Sequence, residues 1–323
     1  METATLAVRV DHVNVRVSDP RPLFSLLTER LRLPALWPVT ALPGFEIGGV
    51  ALGNVHIEPT RYGRSPRRRG AGEAELFSIC LEPGPIDQVA TELTRRDIPH
   101  TPPVPYRGEW PAGAETDLFR RVADDRLDPL WTWIFLGGFF GDRALKRQYS
   151  SVVFTSRIGA HLARGMGRVS ASRILGGAFN SAMAPRRPYP FFCEWNAFDI
   201  ADARRRAGEE LRRHDGGPLG VRGVSEIVVG ARDHPGEERR WQELLDPVKP
   251  KAERRWELGD GPAIRLVDDT ENHIRTLVWE VASLERAMRF LREEGMLGPT
   301  DEASVRIAPE VIGGLDIRLA EAF

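Results

Sequence analysis

Hydrophobic and polar positions alternate at the start of the chain. Val8, Val10, His12, Asn14 and Arg16 fall on one side of the pattern, and Arg9, Asp11, Val13, Val15 and Val17 on the other. Period-two alternation with β-branched residues predicts a strand. Ser18-Asp19-Pro20 then supplies a stop and an N-cap, and Pro20 or Pro22 suits a first helical turn. Leu23, Phe24, Leu26, Leu27 and Leu31 follow at helical spacing until Pro34. Two strands are expected next, over 45–52 with a turn at Gly48-Gly49, and over 54–60. A basic, glycine-rich loop carrying Arg61, Arg64, Arg67, Arg68 and Arg69 intervenes, and the pattern restarts. The spacing predicts a strand over 76–82 and a helix over 85–96 with Ile86, Val89, Ala90 and Leu93 on one face. Apolar strands follow over 131–138 and 190–195.

The second half repeats the order. After a stretch rich in Gly, Asp and Arg (212–223), a strand over 224–231 leads into a helix over 235–245 and short strands over 256–258 and 263–267. A strand over 274–281, a helix over 284–294 and strands over 305–307 and 315–319 complete the chain. A unit of strand, helix and strands thus recurs about four times, twice per half. This internal repetition is the most informative organisational feature of the sequence.

Composition narrows the function classes. Lys and Arg total 45 and Asp and Glu 46, a formal charge of −1, so a general nucleic-acid coat is excluded and no nucleic-acid partner is expected. Two cysteines, Cys80 and Cys193, cannot build a disulfide framework or a cysteine-rich zinc module. The longest apolar run, 129–141, is too short for a membrane span, which takes about 20 residues. Glu2, Arg9 and Asp11 interrupt any secretory apolar segment, so a cytoplasmic protein without membrane contact is expected. Walker A, Rossmann glycine, H-E-x-x-H and G-x-S-x-G motifs are absent.

With the repeat in view, the chain resembles the vicinal oxygen chelate superfamily, which includes glyoxalase I, extradiol dioxygenases and bleomycin-resistance proteins. The resemblance is carried by 10–20 (VDHVNVRVSDP), 55–58 (VHIE), 86–93 (IDQVATEL) and 191–195 (FFCEW), with a weaker second copy from 224–227 (VSEI) to 315–319 (LDIRL). It implies an α+β fold in which repeated βαβββ modules form two cup-shaped mixed-sheet domains. The first, 1–211, would carry the candidate metal site and an insert near 143–189. A linker, 212–223, would lead to a second, reduced and degenerate domain, 224–323.

The resemblance also implies a divalent metal in the first cup, of the Fe, Mn, Ni or Zn kind that imidazole and carboxylate suit. Its positions fall on His12, Glu58 and Glu194, with Ser78 where the family often has a second histidine. His56 lies two residues before Glu58 and shares its strand face, so it could replace that histidine or touch substrate. The function implied is a metal-dependent enzyme on a small organic molecule with vicinal oxygens. The metal would act as Lewis acid, with Glu58 and Glu194 as catalytic carboxylates. Ser78 is a poor ligand, so a lyase or isomerase is expected ahead of a dioxygenase. The alternative is a metal-free binding or sequestration protein of the bleomycin-resistance type. In the second half Glu226, Val267, Thr276 and Arg318 take the corresponding positions, and no ligand set results.

Two further features bear on the substrate. Between Asp142 and Glu194 there is no carboxylate but nine basic residues, among them Arg143, Arg157, Arg168 and Arg187. They read as a lid that attracts an anionic substrate, or as a solvated helical pair or oligomer contact; exposure of charge runs favours the latter. Trp131, Trp133 and Phe135 share one strand face, either as core or as the wall of an aromatic-accepting pocket. The partners expected are therefore a small molecule of anionic or aromatic character and, as an open option, a second copy in a homodimer.

Overall fold

The computed structural model describes residues 5–42, 45–62, 74–106, 130–141, 189–196, 198–251, 254–301 and 303–322. The arginine run 67–69, Trp110 and the basic insert up to 188 lie outside them.

The first sheet has eight strands: β1 (Ala7–Val17), β2 (Ala35–Leu42), β3 (Phe45–Ala51), β4 (His56–Tyr62), β5 (Ala74–Pro83), β6 (Val104–Tyr106), β7 (Trp131–Phe135) and β8 (Tyr189–Trp195). Their spatial order is β2-β3-β4-β1-β5-β8-β7-β6. Each half is one βαβββ module, because the last strand returns parallel to the first: β4 along β1 and β8 along β5. The two modules join where β1 and β5 pair antiparallel. Helix α1 (Pro20–Ser25), extended by a π-helical turn Leu26–Arg30, crosses the first module, and α2 (Ile86–Arg95) the second.

The second sheet has seven strands in the order β10-β11-β9-β12-β15-β14-β13. They are β9 (Val221–Ala231), β10 (Arg255–Trp256), β11 (Ala263–Asp268), β12 (His273–Val281), β13 (Leu297–Thr300), β14 (Ser304–Ile307) and β15 (Ile317–Glu321). Its first module, with α4 (His234–Leu245), is one strand short among the described residues; its second, with α5 (Leu284–Glu293), is complete. The fold is thus α+β, with two mixed, curled sheets of repeated modules, as the repeat implied. Helix α3 (Ile200–Arg213) joins the sheets, and a run of turns leads from it into β9, so the expected linker stretch is largely structured.

Two apolar clusters organise the molecule. One runs continuously through both halves on the helix-bearing faces and includes Val13, Val15, Leu27, Trp241, Ile264 and Trp279. The other fills the concave face of the first sheet alone, with Trp37, Phe77, Trp131, Trp133, Phe135, Tyr189 and Phe191. Among the described residues no helix is long and apolar enough to cross a membrane.

Three local readings are corrected. Gly48 and Gly49 do not turn; both lie inside β3. A Cβ at Gly48 would stand 2.7 Å from Phe24 Cδ2, and one at Gly49 2.5 Å from Trp37 Cε2, so glycine is there to let rings lie on the backbone. β2 escaped notice because Pro34 and Pro38 punctuate it; as an edge strand it tolerates a proline. In β1 the strict alternation fails at Asp11. Val10 pairs with Leu81 and His12 with Cys80, so β1 carries an extra residue between them. This bulge sends Val10 to the same core as Val13 and Val15 and swings Asp11 toward His12.

Candidate metal and ligand site

Strand register lines up the chemistry. Across β4, β1, β5 and β8 one row reads Glu58, Asn14, Ser78, Tyr189, and the next reads His56, His12, Cys80, Phe191. Both rows sit at the centre of the sheet, where all four strands are covered, so their polar groups must satisfy one another. They do. Ser78 Oγ donates to Asn14 Oδ1 at 2.6 Å, and Asn14 Nδ2 donates to Glu58 Oε2 at 2.6 Å. Tyr189 is hydrogen-bonded to Ser78 and to Tyr62. Both imidazoles meet the same carboxylate, His12 Nε2 at 3.2 Å from Glu58 Oε2 and His56 Nε2 at 3.1 Å from Oε1.

Asp11, brought in by the bulge, closes the cluster from behind. Its Oδ1 lies 3.0 Å from His12 Nδ1 and 3.7 Å from His56 Nε2, and its Oδ2 accepts from Trp195 Nε1 at 2.7 Å. Arg204 reaches in from α3, with Nη2 3.0 Å from Asp11 Oδ1 and Nη1 2.6 Å from Glu82 Oε2. Burial raises the Asp11 carboxyl, but the Arg204 charge and the His12 hydrogen bond outweigh it and hold the carboxyl well below the usual range. Burial works against a proton on His12, yet the Glu58 charge and the Asp11 hydrogen bond prevail and raise its pKa. His56 goes the other way: burial dominates and lowers it. The two imidazoles, shifted in opposite senses, stand with ring centroids 5.0 Å apart.

The donor set fits a divalent ion. One atom each from Asp11, His12 and His56 lie within 4.8 Å of one another, all buried, and Glu58 touches both imidazoles. Two imidazoles with carboxylates suit Mn, Fe, Ni or Zn. His12 Nδ1 already has the carboxylate partner that a ligating histidine requires. His56 Nδ1 is buried without a hydrogen-bond partner among the described residues, a group that a cation or water would satisfy.

Of the residues singled out from the sequence, the fold brings His12, His56 and Glu58 together and sets Ser78 two hydrogen bonds from Glu58, through Asn14. Glu194 is not brought to them. Cys193 and Trp195 face the cavity, so the residue between faces away. Its Oε1 accepts from Ile86 N at 3.3 Å and its Oε2 from Asn196 Nδ2 at 2.9 Å. Trp131 and Trp133 do line the cavity. Burial pushes the thiols of Cys80 and Cys193 up, which makes neither a nucleophile. Sequence reasoning missed Asp11, Asn14, Arg204, Trp37, Trp195 and the two tyrosines. Only Asn14 carried a usable signal, its place on the His12 side of β1.

The cavity above this floor has about 50 Å³ open to the centres of water-sized spheres, room for a few waters. Its walls are rings: Trp37, Phe45, Tyr62, Trp131, Trp133, Phe135, Tyr189, Phe191 and Trp195, with His12, Asn14, Glu58 and Thr60 supplying the polar edge.

In the second sheet the same register runs Ala263, Glu226, Val278, Arg318, with Arg265, Val228 and Thr276 in the next row. Arg265, rather than Val267, therefore stands in the Glu58 place. Glu226 is held by Arg255 Nε and Arg265 Nε, each at 2.8 Å.

No protein-family model and no curated protein sequence matches this chain. Solved structures do. A hypothetical protein from Staphylococcus aureus aligns with a TM-score of 0.54 at 11% identity, over 97% of this chain and 99% of that one. A Mn(II)-bound glyoxalase from Novosphingobium aromaticivorans gives 0.52 at 11%, over 98% and 83%. Homoprotocatechuate 2,3-dioxygenase from Brevibacterium fuscum, in complex with 3,4-dihydroxyphenylacetate, gives 0.53 at 8%, over 99% and 82%. The resemblance read from the sequence holds at the level of the fold, which this chain shares with a glyoxalase and an extradiol dioxygenase along nearly its whole length.

Proposed function

We propose that the chain is a metal-dependent enzyme, a lyase or isomerase ahead of a dioxygenase, acting in the first cup on a small molecule with neighbouring oxygens. The observation that carries this reading is the Glu58 carboxylate shared by His12 and His56 at the floor of an aromatic-walled cavity. His12, His56 and Glu58 would hold the ion. Bound there, it would supply Lewis-acid polarisation of substrate oxygens and charge stabilisation.

The chain's own residues have separate tasks. Asp11 fixes the orientation of the His12 ring and is itself held by Arg204 and Trp195. Ser78 commits Asn14 Oδ1 as an acceptor, so Asn14 can only donate to Glu58, and the carboxylate is held in one orientation. Glu58 is the one carboxylate on the described cavity wall and so the group placed to exchange a proton with substrate. The apolar ring walls lower the local polarity and strengthen each of these interactions. Glu194, outside the cavity, has no part in this scheme.

A metal-free binding protein is the second reading, and one observation favours it. Asp11 already meets Arg204 and His12, and Glu58 already meets His12, His56 and Asn14, so both buried carboxylates have partners without an ion. Elemental analysis of protein prepared without chelator separates the two. The proposal expects about one Mn, Fe, Ni or Zn per chain in the wild type and its loss in His12→Ala. No metal after reconstitution, or full occupancy in that variant, rejects it.

A further inference from the structure

One oxygen of Asp11 is contested. Oδ2 is taken by the indole N–H of Trp195 at 2.7 Å. Oδ1 stands 3.0 Å from His12 Nδ1 and 3.7 Å from His56 Nε2, and on its other side Arg204 Nη2 lies 3.0 Å away. A cation held between the imidazoles would find this carboxylate oxygen within reach, and Arg204 is the group that meets it instead.

The contact that Arg204 makes is one of charge. Its Nε and Nη2 are buried and neither has a hydrogen-bond partner among the described residues, so the guanidinium faces Asp11 without aiming an N–H at it. Only Nη1 is aimed, at Glu82 Oε2, 2.6 Å away. Buried N–H groups left unmet cost free energy, so hydrogen bonding does not account for the arginine. Among the described residues no other arginine or lysine contacts Asp11, His12, His56 or Glu58. A guanidinium does not give up its proton, so this charge stays beside the imidazoles whatever their own protonation.

We infer that Arg204 is a positioning residue that holds Asp11 back from the ion and so restrains the metal affinity of the first cup. The inference rests on the metal-dependent reading proposed above, and it extends that reading from which residues hold the ion to how tightly they do so. Arg204 acts twice. It occupies Asp11 Oδ1, and its charge opposes that of a divalent cation from across a single carboxylate. A purely structural arginine carries the opposite expectation: its loss would loosen the floor of the cavity and weaken metal binding.

Calorimetric titration of the chelator-stripped full chain with Mn(II) tests it. Arg204→Met should bind Mn(II) about tenfold tighter than the wild type, the effect expected when one neighbouring cation is removed. Arg204→Lys keeps the charge and should stay within about twofold of the wild type. Asp11→Asn combined with Arg204→Met should lose the gain, because the freed oxygen no longer carries charge. Unchanged or weaker binding in Arg204→Met overturns the inference, as does equal tightening in Arg204→Lys or a gain that survives Asp11→Asn. Should Arg204→Met not fold without metal, folding on addition of Mn(II), the ion taking the place of the lost charge, supports the inference, and no recovery overturns it. The two proposals fail distinguishably. Mn(II) bound equally by the wild type and Arg204→Met rejects the role of Arg204 alone, and no Mn(II) bound by any of the four proteins rejects the metal and this inference with it.

Discussion

The two cups of this molecule share a fold and treat the same position in opposite ways. In the first, His12 is buried and meets Glu58 across β4, beneath a roof of rings. In the second, Glu226 occupies the His12 place and Arg265 the Glu58 place, with Arg255 beside them, all partly exposed. The imidazole has become a carboxylate and the carboxylate a guanidinium. The first arrangement can exchange a proton for a cation, because imidazole and carboxylate ligate when deprotonated. The second cannot, because a guanidinium stays charged and offers no lone pair. One scaffold therefore carries a candidate ligand set in one sheet and not in the other, and the replacements fall in two neighbouring rows of the register, with Ala263 at the His56 place as well.

The contrast in burial sets the largest expected effect. Asp11 is fully buried, and removing it leaves Arg204 facing the cluster without that carboxylate. Asp11→Ala should therefore cost about 3–5 kcal/mol of unfolding free energy, the usual range for breaking a buried pair. Glu226→Ala frees two arginines that solvent reaches, so about 1 kcal/mol or less is expected. Urea unfolding of both variants measures the difference. Equal losses would mean that the second cup is as closed as the first.

The His12 proton sharpens the same comparison through pH. Its pKa is raised in the folded protein, so the stability it contributes is complete below the ordinary histidine value and is lost as pH rises through the folded value. Asp11 acts in the opposite sense. Its depressed carboxyl adds stability above the ordinary aspartate range that fades only as pH falls below it. Unfolding free energy should therefore decline as pH rises above the ordinary histidine value, and His12→Gln should remove that decline. A divalent ion competes with the same proton, so metal uptake should strengthen over the pH range where stability without metal falls. A variant that kept the full decline would move the titrating group elsewhere.

Much of this was legible in the sequence, and the parts that were not share a cause. The repeat of strand, helix and strands is local, and His12, His56 and Glu58 follow from period-two spacing on strands read correctly. Asp11 did not follow, because a bulge is decided by the register against β5, seventy residues away. Arg204 sits on a helix whose buried face is Ile200, Ala203, Ala207 and Leu211, too weakly apolar to stand out beside its arginines. Glu194 shows how sharply period two cuts. Trp195, one residue on, faces the cavity and bonds Asp11, while Glu194 ties down the start of α2.

The smallest expected effect tests whether a single residue separates the cups. Glu226→His puts an imidazole at the His12 place of the second sheet. Arg265 then stands where Glu58 would be, Ala263 where His56 would be, and Arg318 where the first sheet has Phe191. Two guanidiniums and no carboxylate in these two rows repel a divalent cation, and one imidazole cannot hold it alone. Combined with His12→Ala, to silence the first cup, Glu226→His should bind no metal by elemental analysis, and alone it should lose about 1 kcal/mol or less of stability with its two ion pairs. One equivalent of metal in that double variant would show that the first position alone commands the site. Arg265 would then not be what keeps a cation from the second sheet.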